Sequence, residues 1–170
     1  MKNLVNILAI AGVVLSTSLI AAFGQAALVP FGQAGHDTTQ AVEIVADSFT
    51  VNQNRGSAEF VGNVVVGQGD LRLSAGKIEV EYATASNDDG RLIGRLIASG
   101  GITLVSNGQA AEAETATYSI DVGTIVLEGN VLITQGANAL AGQKITISLT
   151  DGSAKVEGRV KTIFQTGVSE

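Results

Sequence analysis

The 170-residue chain contains no cysteine, no tryptophan, one proline and one histidine, and only 15 % of its residues are charged. Without cysteine there is no disulfide, no thiolate nucleophile and no Cys-ligated zinc. That absence leaves an oxidising compartment open, because a large enough core needs no covalent staple. The lone His36 supplies neither a histidine metal cluster nor the base of a Ser-His pair. Aromatic residues are 4 % and the net charge is -6. An acidic chain repels phosphate backbones and has few rings on which bases could stack, so nucleic acid is not an expected partner. Helical periodicity is missing beyond the first 26 residues. The length suits one domain.

Those first residues are a separate material. Lys2 gives a short positive start, residues 4–15 are apolar except Asn6, and Ser16, Thr17 and Ser18 dilute the run before residues 19–23. Gly24 and Ala26 place small residues where a signal peptidase cuts. Residues 1–26 therefore read as a signal peptide. The rival reading is a retained membrane anchor, since residues 4–23 have about the length that spans a bilayer. Residues 27–40, with Pro30, Gly32, Gly35 and His36, read as a flexible lead-in to a domain at 41–166.

What is plentiful is glycine, 21 residues of it, and β-branched residues at period two. Val42, Ile44 and Ala46 alternate, as do Val64 and Val66, Leu71 and Leu73, Ile78, Val80 and Tyr82, and Ile145, Ile147 and Leu149. Such alternation means strands with one buried face. The stretch FVGNVVVGQG at 60–69 nearly returns as LEGNVLITQG at 127–136. Gly-x-[Val/Ile] recurs at Gly62, Gly100, Gly129 and Gly158, with separations of 38, 29 and 29 residues. A small residue opens a strand at Ala46, Ala75, Ala113 and Gly142, with separations of 29, 38 and 29. The chain is thus four 29-residue repeats with a nine-residue insertion in the second, within 83–95. Asn54-Arg55-Gly56, Ser106-Asn107-Gly108, Asp121-Val122-Gly123 and Thr150-Asp151-Gly152 have turn chemistry. A fixed period of this size means stacked units, none able to bury its apolar face alone. The expectation is an elongated all-β stack of short antiparallel strands with an apolar interior and two open ends. Gly62 and Gly129 are expected where backbone packs closely or a strand bends.

No catalytic constellation assembles, so no enzyme and no cofactor are expected. Asp88-Asp89 lies beside Gly90 as a solvated turn. Glu79 and Glu81 occupy the face opposite Ile78 and Val80. Lys77 and Lys144 share a repeat position and fit solubility better than anion binding. Gly67-Gln68-Gly69 lacks the third glycine and following helix of a phosphate loop. The interior remains. Small residues at Ala46, Ala75, Ala113 and Ala116 among Phe49, Phe60, Leu104, Tyr118, Ile120 and Leu127 either leave a cleft for acyl chains or allow close sheet packing. Unpaired edges invite another chain. The N-terminal edge carries Glu43 and Asp47, and the C-terminal edge Lys155, Glu157, Arg159 and Lys161.

The run FVGNVVVGQGDLRLSAGKIEV at 60–80 and EAETATYSIDVGTIVLEGNVLITQGANALAGQKITI at 112–147 resemble the lipopolysaccharide-transport protein A family, also called OstA-like. The resemblance spans about residues 42–164. It implies a slotted β-jellyroll of up to sixteen short strands, holding lipopolysaccharide by its lipid A acyl chains on the way through the periplasm. It also implies head-to-tail strand addition, with cargo taken from an inner-membrane partner C and passed to an outer-membrane partner D. Carried across, Val42 and Ile44 match the receiving N-terminal edge, and Leu104, Tyr118 and Ile120 the lipid-facing interior. Val156, Val160 and Phe164 fall on the C-terminal edge. Leu104 stands where an aromatic is common, and no basic cluster is placed for the cargo's phosphates. Two further readings stay open: a membrane-anchored partner C, and a ligand-free structural β-solenoid.

Overall fold

The computed structural model describes residues 36–83 and 93–165. The signal segment, the lead-in before His36 and most of the insertion lie outside these. The described chain is all strand and turn: β1 (Glu43–Val45), β2 (Ser48–Asn52), β3 (Ser57–Gln68), β4 (Leu71–Tyr82), β5 (Ile93–Ser106), β6 (Gln109–Ser119), β7 (Thr124–Gln135), β8 (Asn138–Ser148), β9 (Ser153–Glu157) and β10 (Lys161–Ile163). They form one antiparallel sheet in the order β1-β3-β4-β5-β6-β7-β8-β10, with β2 also on β3 and β9 also on β8.

Every long strand bends in its middle, and the repeated Gly-x-[Val/Ile] is the reason. Gly62 and Asn63 have φ of 84° and 45°, Gly129 and Asn130 of 83° and 45°, and Gly100 and Gly101 of 85° and 82°. Gly158 and Arg159 follow at 75° and 23°. Two successive left-handed residues make a bulge in which a pair opposes a single residue on each neighbouring strand. The pairing breaks accordingly between Val61 and Val64, Ser74 and Lys77, Ser99 and Ile102, Glu112 and Thr115, and Glu128 and Val131. The breaks form one corner line across the sheet. β1 and β2 are a single strand interrupted at that line, as are β9 and β10. Eight strands therefore cross the corner, each in two halves.

The corner is braced from outside. Asn63 Nδ2 donates to Asp47 Oδ2 at 2.8 Å, and Asn130 Nδ2 to Glu114 Oε1 at 2.6 Å, the same contact one repeat-pair later. A Cβ on Gly129 would meet the Glu114 side chain at 2.6 Å, whereas one on Gly101 would meet nothing within 4 Å. Beside the corner Lys144 pairs with Glu128 directly opposite at 2.9 Å, and Lys77, at the same repeat position, pairs diagonally with Glu59. Each glutamate raises its lysine's pKa by accepting a hydrogen bond from it. Both lysines are thus cross-strand partners.

The buried side is built of continuous rows. Phe49, Phe60, Ile78, Ala98, Ala116, Leu127, Ile145 and Val156 stand opposite one another in turn from one edge to the other. Beyond the corner, Ile44, Val66, Leu73, Leu104, Ala111, Ile133 and Leu140 form a second such row. Burial of each large aliphatic side chain is worth about 1.5–3 kcal/mol. The turns expected from sequence join β2 to β3, β5 to β6, β6 to β7 and β8 to β9, each with a left-handed Gly56, Gly108, Gly123 or Gly152.

Gly129→Ala is expected to cost roughly 1–3 kcal/mol from its backbone angle alone, with the Glu114 clash added. Gly101→Ala bears only the backbone cost and should melt at the higher temperature. Equal melting points in thermal denaturation would refute the bracing role of the corner.

Candidate functional site

Each strand half ends at a tip. The inward-facing last row on the β10 side of the corner holds Gln68, Ser106, Gln109, Gln135 and Asn138, with Leu71 the apolar exception. Gln68, Ser106 and Gln109 are buried at 1, 3 and 3 % exposure. The opposite tips are apolar, with Tyr82, Ile93, Ile120 and Leu149. The two rows of tips form a mouth, one lip amide-rich and the other hydrocarbon.

The lead-in lies across this mouth. His36 N donates to Leu149 O at 3.3 Å on the apolar lip. Gln68 Nε2 on the amide lip donates to Thr38 O and Gln40 O, both at 2.9 Å. Gln68 Oε1 accepts the Tyr118 hydroxyl at 2.6 Å and lies 3.4 Å from His36 Nε2. One buried amide thus joins the strap at 36–40, β3, and β6 on the far side of the corner. The flexible lead-in expected over 27–40 is a docked strap over its last five residues. Beside it a cavity of about 660 Å³ is lined by residues 38–42, Ala83, Ile93, Gly94, Ile120 and Asp121.

Burial pushes the Tyr118 hydroxyl up to about 12, so it stays protonated and donating. Burial works against the Asp70 carboxyl too, but the Ser106 hydroxyl at 2.9 Å, its own backbone and His36 hold it below the usual range. Ser106, Asp70 and His36 meet, yet the carboxylate stands between the other two. The serine donates to Asp70, not to an imidazole, so the order of an activated nucleophile is missing. Among the described residues no group of acids and histidine is gathered to hold a metal ion.

The residues expected inside divide into three sets. Leu104, Leu127 and Tyr118 are at 0, 0 and 2 % exposure in the common core, and Phe60 packs against it half-buried. Phe49 requires a correction: it faces the interior side but is 55 % exposed, because it sits on the first edge, in β2, with no further strand among the described residues to cover it. It rests on Phe60, ring centroids 4.7 Å apart. Ile120 stands at the mouth with Val42. At the edges, Ile44 pairs with Val66 in β1 and Val156 ends the inward row in β9. Val160 lies in the break between β9 and β10, and Phe164 just past β10, both about half exposed. Gln68 and the strap were missed by the reading of residue patterns. The repeated Gln-Gly after each Gly-Asn-Val was the available signal. The interior alanines allow close packing, as Leu104 and Leu127 touch no solvent.

Residues 43–153, well over half of the chain, match the family described as LptA/(LptD N-terminal domain) LPS transport protein. The chain belongs to this family. The match spans both the A-type proteins and the N-terminal domains of D-type ones, so it does not separate the two. Among solved structures the chain is similar to LptH, the LptA-homologous periplasmic component of the lipopolysaccharide transport device of Pseudomonas aeruginosa. The TM-score is 0.65 at 19 % identity, covering 76 % of this chain and 99 % of that one. At this identity the likeness supports the fold, a β-jellyroll. No curated protein matches.

Tyr118→Phe removes the donor to Gln68 and should cost about 0.5–1.5 kcal/mol in chemical denaturation at neutral pH. The hydroxyl's folded pKa lies above its unfolded value near 10, so its contribution is complete below about pH 10 and lost as pH rises towards 12. Native protein should therefore lose stability between those limits more steeply than Tyr118→Phe. Parallel pH profiles would rule out this account.

Proposed function

We propose that the chain is a periplasmic lipopolysaccharide-binding transport protein. It carries lipopolysaccharide from the inner towards the outer membrane as one link of a protein bridge, with acyl chains between the two halves of the bent sheet. The observation that carries this reading is the set of inward rows. One runs without a polar interruption from Phe49 to Val156 and the other from Ile44 to Leu140, between two strand edges that have no neighbour among the described residues. A filled globular core has no need of such continuity, whereas a chain sliding from unit to unit does. Each buried methylene contributes about 0.8 kcal/mol, so several acyl chains supply ample affinity.

The edges support the rest of the proposal. Val42 and Ile44 form the receiving edge for an inner-membrane partner C, or for a second copy. Val156, Val160 and Phe164 form the delivering edge for an outer-membrane partner D, or for a second copy. Export follows from cleavage of residues 1–26, leaving the lead-in and the domain at 41–166. The chain then acts as a carrier without catalysis or cofactor. Retention of that segment would instead make it the membrane-anchored partner C.

One observation favours a second reading, the ligand-free β-solenoid: the interior is closed, with Leu104 and Leu127 at 0 % exposure. Under transport, the two halves part to admit the cargo. A photo-crosslinking residue at Phe60 or Leu104, with Glu79 on the outer face as control, separates the two. Mass adducts with lipopolysaccharide are expected at the first two and not at Glu79. Folded protein without an adduct at either interior site would leave the ligand-free solenoid standing.

A further inference from the structure

The strap is bound as a ligand would be. Its contacts with the Gln68 Nε2 group are made through main-chain carbonyls, the oxygens of Thr38 and Gln40, and both N–H groups of the amide are spent on them, while the His36 ring lies 3.4 Å from Oε1. Gln68 is 1 % exposed with the strap in place, so if the strap leaves, both donors pass to water or to another acceptor that enters the mouth. Tyr118 donates to the other end of the amide and fixes which way it points. Aliphatic interior lies further in: Val66 and Val64 follow Gln68 inward along β3, and Leu104 on β5 stands in the same cross-strand row as Val66. A molecule that satisfied the whole site would thus carry hydrocarbon for the rows and a carbonyl at their outer end.

We propose that Gln68 is a binding residue for the carbonyl that links an acyl chain to its head group, and that the strap at 36–40 occupies this site until cargo displaces it. This deepens the transport reading and rests on it. An acyl ester or amide presents the same acceptor as a peptide carbonyl, so cargo and strap exchange without leaving the buried amide unpaired. The strap also covers the mouth while the interior is empty of cargo, keeping water from the apolar rows. Tyr118 acts here as a positioning residue, through Gln68.

The test uses the chain with Thr39→Cys carrying a spin label, which is selective because the protein has no cysteine of its own. Thr39 is exposed and makes no contact with Gln68; the substitution gives up its hydroxyl bond to Asp37 and keeps the backbone one, so the lipid-free spectrum of the labelled chain is the reference. Lipid A and an all-ether analogue with the same chain lengths are titrated in, and a photo-crosslinker at Phe60 reports whether lipid is inside. The label is expected to become mobile as lipid A binds. Its half-release concentration should be about 3- to 10-fold higher for the ether analogue, the worth of roughly one neutral hydrogen bond. In Gln68→Leu the label should be mobile before any lipid is added, and the two lipids should crosslink at equal concentrations. A label that stays constrained while Phe60 is crosslinked would overturn strap displacement and leave transport intact. Equal release by the two lipids in the native sequence would overturn carbonyl recognition. Loss of the Phe60 adduct altogether would remove the transport reading and this inference with it.

Discussion

The structure depends on a left-handed pair of residues placed once in every second strand. A sheet of eight crossing strands that stayed flat would leave one apolar face in water. Bending each strand at the same level turns that face inward on itself, and two consecutive positive φ values are the local means of doing so. Glycine takes the first position each time because a side chain there would strike the neighbouring strand. Asparagine suits the second because it tolerates the conformation and its amide reaches the carboxylate of Asp47 or Glu114. Where glycine takes that second place too, at Gly101, the neighbouring strand answers with Gly76 packed against Gly100. The brace gives way there to close backbone contact.

Much of this was legible in the sequence because it is local. Period-two alternation, the 29-residue spacing and the left-handed turn glycines all arise from the backbone within a few residues, and the strands lie where they put them. Leu104, Tyr118 and Leu127 are inward for the same reason. What escaped depends on neighbours distant in the chain. The Tyr118 hydroxyl and the Gln68 amide are 50 residues apart and meet only because the corner folds one half over the other. Phe49 has the right parity for burial and still meets solvent, since β2 has no neighbour on its outer side among the described residues. The strap looked unstructured because much of its attachment uses main-chain groups, which leave no trace in residue type, and because the partners of its one histidine lie more than 30 residues away.

The polar and apolar lips of the mouth follow from the same repeat. Gln68 and Gln135 are the glutamines of the two Gln-Gly steps, each ending an inward run of valine or isoleucine. Between them stand Ser106 and Gln109 at one hairpin. Buried amides are costly unless satisfied, so each one beside hydrocarbon needs a partner. For Gln68 that partner is the strap. Ser106, on the same lip, is satisfied instead by Asp70 at the neighbouring hairpin.

The corner also gives the sheet a parity. Reading across it, strands that offer one residue at the bend alternate with strands that offer two. The sequence of bends begins with the single Asp47 and ends with the double Gly158-Arg159. The two boundaries are therefore complementary and unlike. A strand laid against the last one continues the alternation only if it brings a single residue to the bend and runs antiparallel, which the first strand of the same sheet does. Two first strands, or two last ones, would set like beside like and force the corner line out of step. The backbone alone thus makes the two rims unlike, independent of any side-chain charge they carry.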